Sequence, residues 1–265
     1  MDHSTPTDHT IPTVVIVVPC YNEADRLAVE TFVGFHLPAH RVEFLLVDDG
    51  SRDGTLRVLE AMRARAPERI GVVRLARNSG KAEAVRQGVV AALTRRPDYV
   101  GYWDADLATP LTELPFFCDI LDTQSAVRMV FGARVKLLGR VIVRKVYRHY
   151  YGRVFATTAA LTLGMPIYDT QCGAKLFRVD DDLRQVFAAP FLSRWVFDVE
   201  IIARFKALAA AHGGDISTAI YELPLREWRD VGVSRLKLSD SVRAFVDLAR
   251  IRRRYHRPTQ VSAIE

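Results

Sequence analysis

Four short polar clusters hold the residue types that could do chemistry in this chain. Asp104 and Asp106 stand two apart after the apolar Tyr102-Trp103, so a bent strand end can turn both carboxylates towards one hard cation held through oxygen. That cation would then face a phosphate. Tyr21-Asn22-Glu23 follows Pro19, Asp48-Asp49-Gly50-Ser51 closes an apolar run, and Asn78-Ser79-Gly80-Lys81 adds a cation. Taken singly, each cluster fits a helix cap, a turn or a helix start equally well, and Asp104-Ala105-Asp106 fits a strand followed by an Asp-rich turn. A shared chemistry requires a fold that brings all four to one edge.

The apolar patterning supplies such a fold. Thr13 to Val18 is a β-branched run without alternation, as expected of a parallel strand covered on both faces, and it stops at Pro19. Val42 to Val47, Gly71 to Leu75 and Tyr99 to Trp103 read as three further strands. Helices are expected from near Ala24, over Thr55 to Ala66 and over Lys81 to Thr94. The β-α-β-α-β-α-β rhythm predicts an α/β fold with a Rossmann-like, mostly parallel sheet and helices on both faces. Its strand ends, carrying the four clusters, then lie along one edge, where open parallel sheets bind ligands.

The chain has 265 residues, 49% of them hydrophobic, and a formal charge of +6, which favours an anionic partner. No apolar run approaches the roughly 20 residues of a membrane-spanning helix, and Met1 to Pro12 is polar, so neither a span nor a signal peptide is expected. Cys20, Cys118 and Cys172 are odd in number and widely spaced, which suits reduced cytoplasmic thiols. No Gly-x-Gly-x-x-Gly follows the first strand, and Leu75 stands where a phosphate-cradling loop ending in Gly80-Lys81 needs glycine. The acids therefore point to a metal-bridged diphosphate.

Val18-Pro19-Cys20-Tyr21-Asn22-Glu23, Val47 to Thr55, Arg77-Asn78-Ser79-Gly80-Lys81 and Asp104-Ala105-Asp106 resemble the successive motifs of family 2 glycosyltransferases with a GT-A fold. Asp169 to Phe177 and Trp195 to Glu200 resemble the dolichyl-phosphate (polyprenyl-phosphate) β-glucosyltransferase branch. The resemblance spans roughly Val14 to Arg235. It implies a UDP-sugar donor, UDP-glucose first among them, with Mg2+ or Mn2+ as cofactor. Pro19, Tyr21, Glu23 and Asp49 would line the uridine pocket with Asp48 beside them, and Lys81 would approach the uracil or the diphosphate. Asp104, Ala105 and Asp106 would sit at ribose and metal, with Asp106 the direct metal ligand. Asp198 is the implied base and Glu200 the fallback, although Asp198 also fits a helix cap.

The second half is expected to serve the acceptor. Leu111 to Asp122 reads as a helix, Val127 to Ala133 as a strand, Ile201 to Ala211 as a helix and Ile216 to Leu223 as a late strand. If Lys136 to Tyr151 is helical, Arg140, Arg144 and Arg148 share one face, with Tyr147, Tyr150 and Tyr151 added, and apolar Val154 to Met165 follows as a buried or interfacial helix. A solvated charged face over a core stripe fits the same residues. With the resemblance, this stripe becomes the expected contact to a polyprenyl phosphate and to the cytoplasmic face of a membrane as a peripheral protein. Arg134, Arg140, Arg144 and Gln171 are the candidate acceptor residues. Trp228-Arg229 would belong to a segment over the donor. Val231 to Arg235 is a looser counterpart of a Gly-Ser-Lys cluster in that branch.

The expected organisation is a disordered polar tail over 1–12 and a catalytic domain over 13–237. That domain divides into a nucleotide-binding half, 13–107, and an acceptor half, 108–237, which includes the basic segment 136–165. An amphipathic helix from Leu238 ending in Arg252-Arg253-Arg254, with a basic tail, closes the chain over 238–265. The alternatives are the same donor chemistry on a soluble or glycolipid hydroxyl, and a nucleotide-sugar-binding sensor. Nucleic acid is not expected as a partner, because the basic residues are not interleaved with aromatics in repeats.

Overall fold

A computed structural model describes residues 11–143, 146–231 and 238–255; side chains are described from 152 onwards in the helix after 145, and from 243 onwards in the last helix. The first half runs β1 (Thr13–Cys20), α1 (Val29–Gly34), β2 (Arg41–Asp48), α2 (Thr55–Arg65), β3 (Ile70–Arg74), α3 (Lys81–Leu93) and β4 (Tyr99–Trp103). The second runs α4 (Leu114–Thr123), β5 (Met129–Ala133), β6 (Val141–Val143), α5 (Val146–Leu163), β7 (Ala174–Arg178), α6 (Asp181–Ala188), α7 (Phe197–Ala211), β8 (Ile220–Pro224), β9 (Glu227–Arg229) and α8 (Leu238–Tyr255). Seven strands form one sheet in the order β3-β2-β1-β4-β7-β5-β8, while β6 and β9 pair separately. Only β7 runs antiparallel to its neighbours.

The unbroken apolar run of β1 has a direct structural cause. Val14 through Val18 are all fully buried, with Val15 and Val17 in one core cluster and Val14, Ile16 and Val18 in the other. Helices therefore cover both faces of the sheet, as a parallel strand without alternation requires. On one face α3 lies so close that a Cβ at Gly88 would meet Val17 Cγ1 at 2.3 Å. Between strands, a Cβ at Gly101 would lie 2.2 Å from the Lys175 carbonyl oxygen, so glycine lets β4 and β7 approach.

Three expectations about local structure are corrected. No helix starts near Ala24; Asn22 has φ of 52°, a turn follows, and α1 begins only at Val29. Lys136 to Tyr151 is not one helix. Gly139 has φ of 77° in a turn where Arg140 N donates to the Leu137 carbonyl, and the β-branched Val141–Val143 is extended, pairing in parallel with β9. Ile142 is buried opposite Trp228 while Val141 and Val143 face outward, a two-residue period that the helical reading overlooked. Arg140 is thus separated from the helix that starts at Val146, and Trp228 is anchored in β9. The third correction is β7, which the sequence reading did not assign to a strand.

Several expectations concern residues outside those described. They are the N-terminal stretch 1–10, Arg144, the Gly232 to Arg235 cluster and the tail 256–265. No helix among the described residues is long and apolar enough to cross a membrane.

Candidate active site

The strand order places a topological switch between β1 and β4, and the polar clusters gather at that edge. The loops after β1 and β2 brace each other. Asn22 N donates to Ser51 Oγ at 3.1 Å, Arg52 N to Asn22 Oδ1 at 2.9 Å, and Glu23 N to Thr55 Oγ1 at 2.8 Å. Pro19, Tyr21 and Glu23 are half-buried at this junction, and Glu23 Oε1 pairs with Arg26 at 2.6 Å. The buried Asp48 accepts Ser51 N at 3.1 Å, closing the turn after β2. Asp49 reaches across to the third connection, where its oxygens take Ser79 N at 2.7 Å and Gly80 N at 2.9 Å. Burial raises the Asp49 pKa, opposed by those two amides. Its carboxylate therefore shapes the Asn78–Gly80 loop, and Arg194 clamps the same loop by donating to the Ser79 carbonyl at 3.0 Å.

That loop sets Lys81 as the first residue of α3, with Nζ 2.5 Å from Asp104 Oδ1. Burial opposes the Lys81 charge, but Asp104, Asp198 and Asp106 overcome it, so its pKa is raised. The three carboxylates named by sequence thus act on one ammonium group. Asp106 is exposed in the turn after β4 and accepts Ala108 N at 3.0 Å; burial of the carboxyl and the neighbouring Asp104 charge raise its pKa. Ala105 between them is buried.

Asp104 is hemmed in from its other side by Gly173, where a Cβ would stand 1.9 Å from Oδ2. Because β7 is antiparallel, its starting end, not its finishing end, meets the ligand edge, and Trp103 pairs with Ala174. That is how the Asp169–Gly173 connection arrives beside Asp104.

Asp198 lies in the first turn of α7, 5% exposed, but Val196 is the cap and the carboxylate does not cap the helix. Its Oδ1 instead accepts from Lys175 Nζ at 2.5 Å and from the Tyr102 hydroxyl, while neither bond uses Oδ2. Lys175 is fully buried and also donates to the carbonyls of Cys172 at 2.6 Å and Thr170 at 3.0 Å. Sequence reasoning quoted Lys175 only within a motif and missed its role. A lysine at an inward-facing position of an apolar strand was the available signal, since buried lysines are rare unless paired. Glu200, the fallback base, is fully buried and accepts Leu192 N at 2.7 Å, Arg204 at 2.8 Å and the Tyr255 hydroxyl at 3.0 Å. It ties α7 to α8 and to the preceding loop.

Of the acceptor candidates, Arg134 forms a fork with Asp169, at 2.6 and 2.7 Å, and stacks 5.3 Å over the Trp228 ring. Burial opposes its charge and Asp169 more than offsets that, with Asp104 contributing at longer range. Gln171 N donates to Asp169 Oδ1 at 3.2 Å. Arg140 is half-buried in its turn, not grouped with these residues by any described contact.

Among the described residues no group of three or more His, Cys, Asp or Glu side chains could hold a metal. The exposed Asp106 and the second oxygen of Asp104 nonetheless fit a hard cation that takes its remaining oxygens from a diphosphate and water, as Mg2+ commonly does. A cation there would also offset the burial and the Asp104 charge that raise the Asp106 pKa.

The matching family model is Glycosyl transferase family 2, over residues 15–184. The chain belongs to this family. It is a glycosyltransferase, and its relatives and fold agree. It is 30% identical to a dolichyl-phosphate beta-glucosyltransferase of Trichomonas vaginalis over 249 residues, covering 89% of this chain and 69% of the relative. The enzyme of the same name from Saccharomyces cerevisiae is 30% identical over 260 residues, covering 91% and 74%. The GT-A fold is shared with crystal structures of glucosyl-3-phosphoglycerate synthase from Mycobacterium tuberculosis. One of these, in complex with Mn2+, UDP-glucose and phosphoglyceric acid, has a TM-score of 0.63 at 18% identity, covering 94% of this chain and 82% of that one.

Proposed function

We propose that this family 2 glycosyltransferase moves a hexose, glucose first among the candidates, from a UDP-sugar to a polyprenyl phosphate with inversion at the anomeric carbon. The observation that supports this reading is the Lys81–Asp104 pair at 2.5 Å, two residues from Asp106 and packed against Gly173, with Asp198 near enough for its charge to act on the same ammonium group. Relatives named for dolichyl phosphate and glucose, and a fold neighbour crystallised with Mn2+ and UDP-glucose, support the choice of partners.

Asp104 and Asp106 would hold Mg2+ or Mn2+, which neutralises the charge developing on a departing nucleoside diphosphate without a proton transfer. Lys81 adds a second positive charge at the same end, kept protonated by its acidic neighbours. Pro19, Tyr21 and Glu23 form the wall for the nucleoside, and Asp49 acts indirectly by holding the loop that delivers Lys81. Asp198, fixed through Oδ1, presents Oδ2 to the acceptor. A phosphate monoester with a second pKa near 6 is already mostly ionised at neutral pH, so against a lipid phosphate Asp198 orients the nucleophile more than it deprotonates it. Single in-line displacement gives inversion.

Membrane contact as a peripheral protein at the cytoplasmic face is part of the proposal. Leu138 is fully exposed and Leu137 half exposed in a turn that also carries Lys136 and Arg140, a combination that suits an anionic leaflet. The purified protein, screened against UDP-sugars with polyprenyl phosphate and Mg2+ or Mn2+, is expected to release UDP and yield a lipid heavier by one hexose. Product formed only on a soluble hydroxyl or soluble phosphate ester would replace the acceptor assignment. Donor binding without any transfer would replace the enzyme reading of this site with that of a sensor.

A further inference from the structure

A cavity of about 30 Å3 lies between α5 and the connection into β7, with Arg134, Arg153, Tyr168, Asp169, Thr170 and Gln171 forming its polar wall. Two of its donors are not used. Arg153 lies 4.0 Å over the Tyr168 ring, yet its Nη1 is buried with no hydrogen-bond partner, and Gln171 Nε2 is buried in the same condition. The Thr170 hydroxyl is a third buried group without a partner. Buried polar groups in folded proteins are nearly always bonded to protein or to ordered water, so three around one cavity mark a place for an acceptor oxygen, taken by water when no ligand is bound. The remaining cation of the wall, Arg134, is itself a donor and is already paired with Asp169. Glu222 accepts the amides of Tyr168 and Asp169, and no described ion pair joins it to Arg153.

The space selects the ligand class. About 30 Å3 takes a few oxygen atoms, so a ligand would enter this space through a small oxygen-bearing end. A planar guanidinium beside an amide donor matches the oxygens of a phosphoryl group. The cavity is also one loop away from the donor acids: Asp169 and Gln171 line it, while Gly173 of the same connection abuts Asp104.

We propose that Arg153 and Gln171 form a phosphoryl-oxyanion subsite that receives the phosphate of the acceptor beside Asp104. For the acceptor's identity, though not for the binding itself, this rests on the function proposed above. It assigns the available acceptor cation to α5, where sequence had favoured Arg134, Arg140 and Arg144.

The test uses the full chain without donor, titrated by calorimetry with citronellyl phosphate, glycerol 3-phosphate and inorganic phosphate. Citronellyl phosphate is expected to bind, with affinity falling about tenfold or more in both R153M and Q171M, in line with loss of a charge-assisted bond. R153K should fall between, since it keeps the charge and loses the fork. R184M, at an exposed site in α6, is the control. Equal, Arg153-dependent binding of the soluble phosphates would support the subsite and remove the lipid from the function proposed above. Unchanged affinity in R153M, or no phosphate binding by a wild-type protein that binds UDP, would overturn the subsite. If R153M does not fold by circular dichroism, R153K and Q171M carry the decision. Transfer activity with an unchanged acceptor KM in R153K and Q171M would also overturn the subsite while leaving the enzyme reading intact.

Discussion

Replacing Lys175 by Met tests how this enzyme holds the Asp198 carboxylate. The change keeps a long side chain on β7 but removes an ammonium bonded to Asp198 Oδ1 and to the carbonyls of Thr170 and Cys172, at a fully buried position. Asp198 is itself 5% exposed, so its charge is left in low dielectric with only the Tyr102 hydroxyl on Oδ1. Removing one member of a buried pair costs about 3–5 kcal/mol, and the orphaned carbonyls lie within that figure because such losses do not add. At about 2–4 °C per kcal/mol for a chain of this size, the melting temperature should fall by roughly 6–20 °C. The double variant K175M/D198N removes both charges and should recover part of that loss, the unpaired-charge part, while the Thr170 and Cys172 carbonyls stay without their donor. Activity should not follow stability. K175M is expected to lose about 100-fold in kcat at low temperature, the effect of a misplacement near 1 Å, with donor KM little changed, and the double variant should be no more active than the single. Thermal melts and initial rates on the three proteins make the comparison. A K175M protein that melts with wild type, or a double variant no more stable than the single, would refute the assignment of the pair.

Three further outcomes are expected. Because the Asp106 carboxylate makes one described hydrogen bond, from Ala108 N, and the fold raises its pKa, D106N should not lower the melting temperature but should abolish turnover and lose the stabilisation that Mn2+ at 100 times Kd gives wild type, about 2.7 kcal/mol; retained activity with normal metal dependence would sink the ligand assignment. G173A puts a Cβ 1.9 Å from Asp104 Oδ2, so it should destabilise by about 1–3 kcal/mol and weaken Mn2+ binding in calorimetry, whereas an unaltered titration would show that Asp104 is not fixed by this contact. All three cysteines are buried, and burial raises each thiol, Cys172 to about 11 and Cys118 to about 12. A thiol reagent at pH 8 should therefore find none in the native protein and three after denaturation.

The gathering of acids proposed to meet the donor was largely legible in sequence because its signals are local. An unbroken β-branched run announces a strand buried on both faces, and the acids follow their strands within a few residues, so Asp48, Asp49, Asp104 and Asp106 fall at one edge as soon as β1, β2 and β4 are aligned. Sequence did not show how these acids divide their work. Asp49 stands one residue from Asp48, yet it bonds a loop 30 residues away, and only the packing of that loop against Gly50 and Arg194 makes the contact.

The segment 136–151 was misread for an equally physical reason. Arginines four apart fit a helix face, but Val141-Ile142-Val143 fits a strand, and what decides is a partner, β9, more than 80 residues downstream.

The sequence by itself determined the α/β class, the strand ends and the types of charge gathered there, since these depend on residue chemistry and short-range periodicity. The tertiary structure decided which of those charges are available. It inserted β7 antiparallel between β4 and β5, brought Lys175 under Asp198 and Gly173 against Asp104, committed Arg134 to Asp169, and left Arg153 with an open donor. Those pairings join residues 23 to 69 positions apart, and their energies depend on burial, which no spacing along the chain encodes.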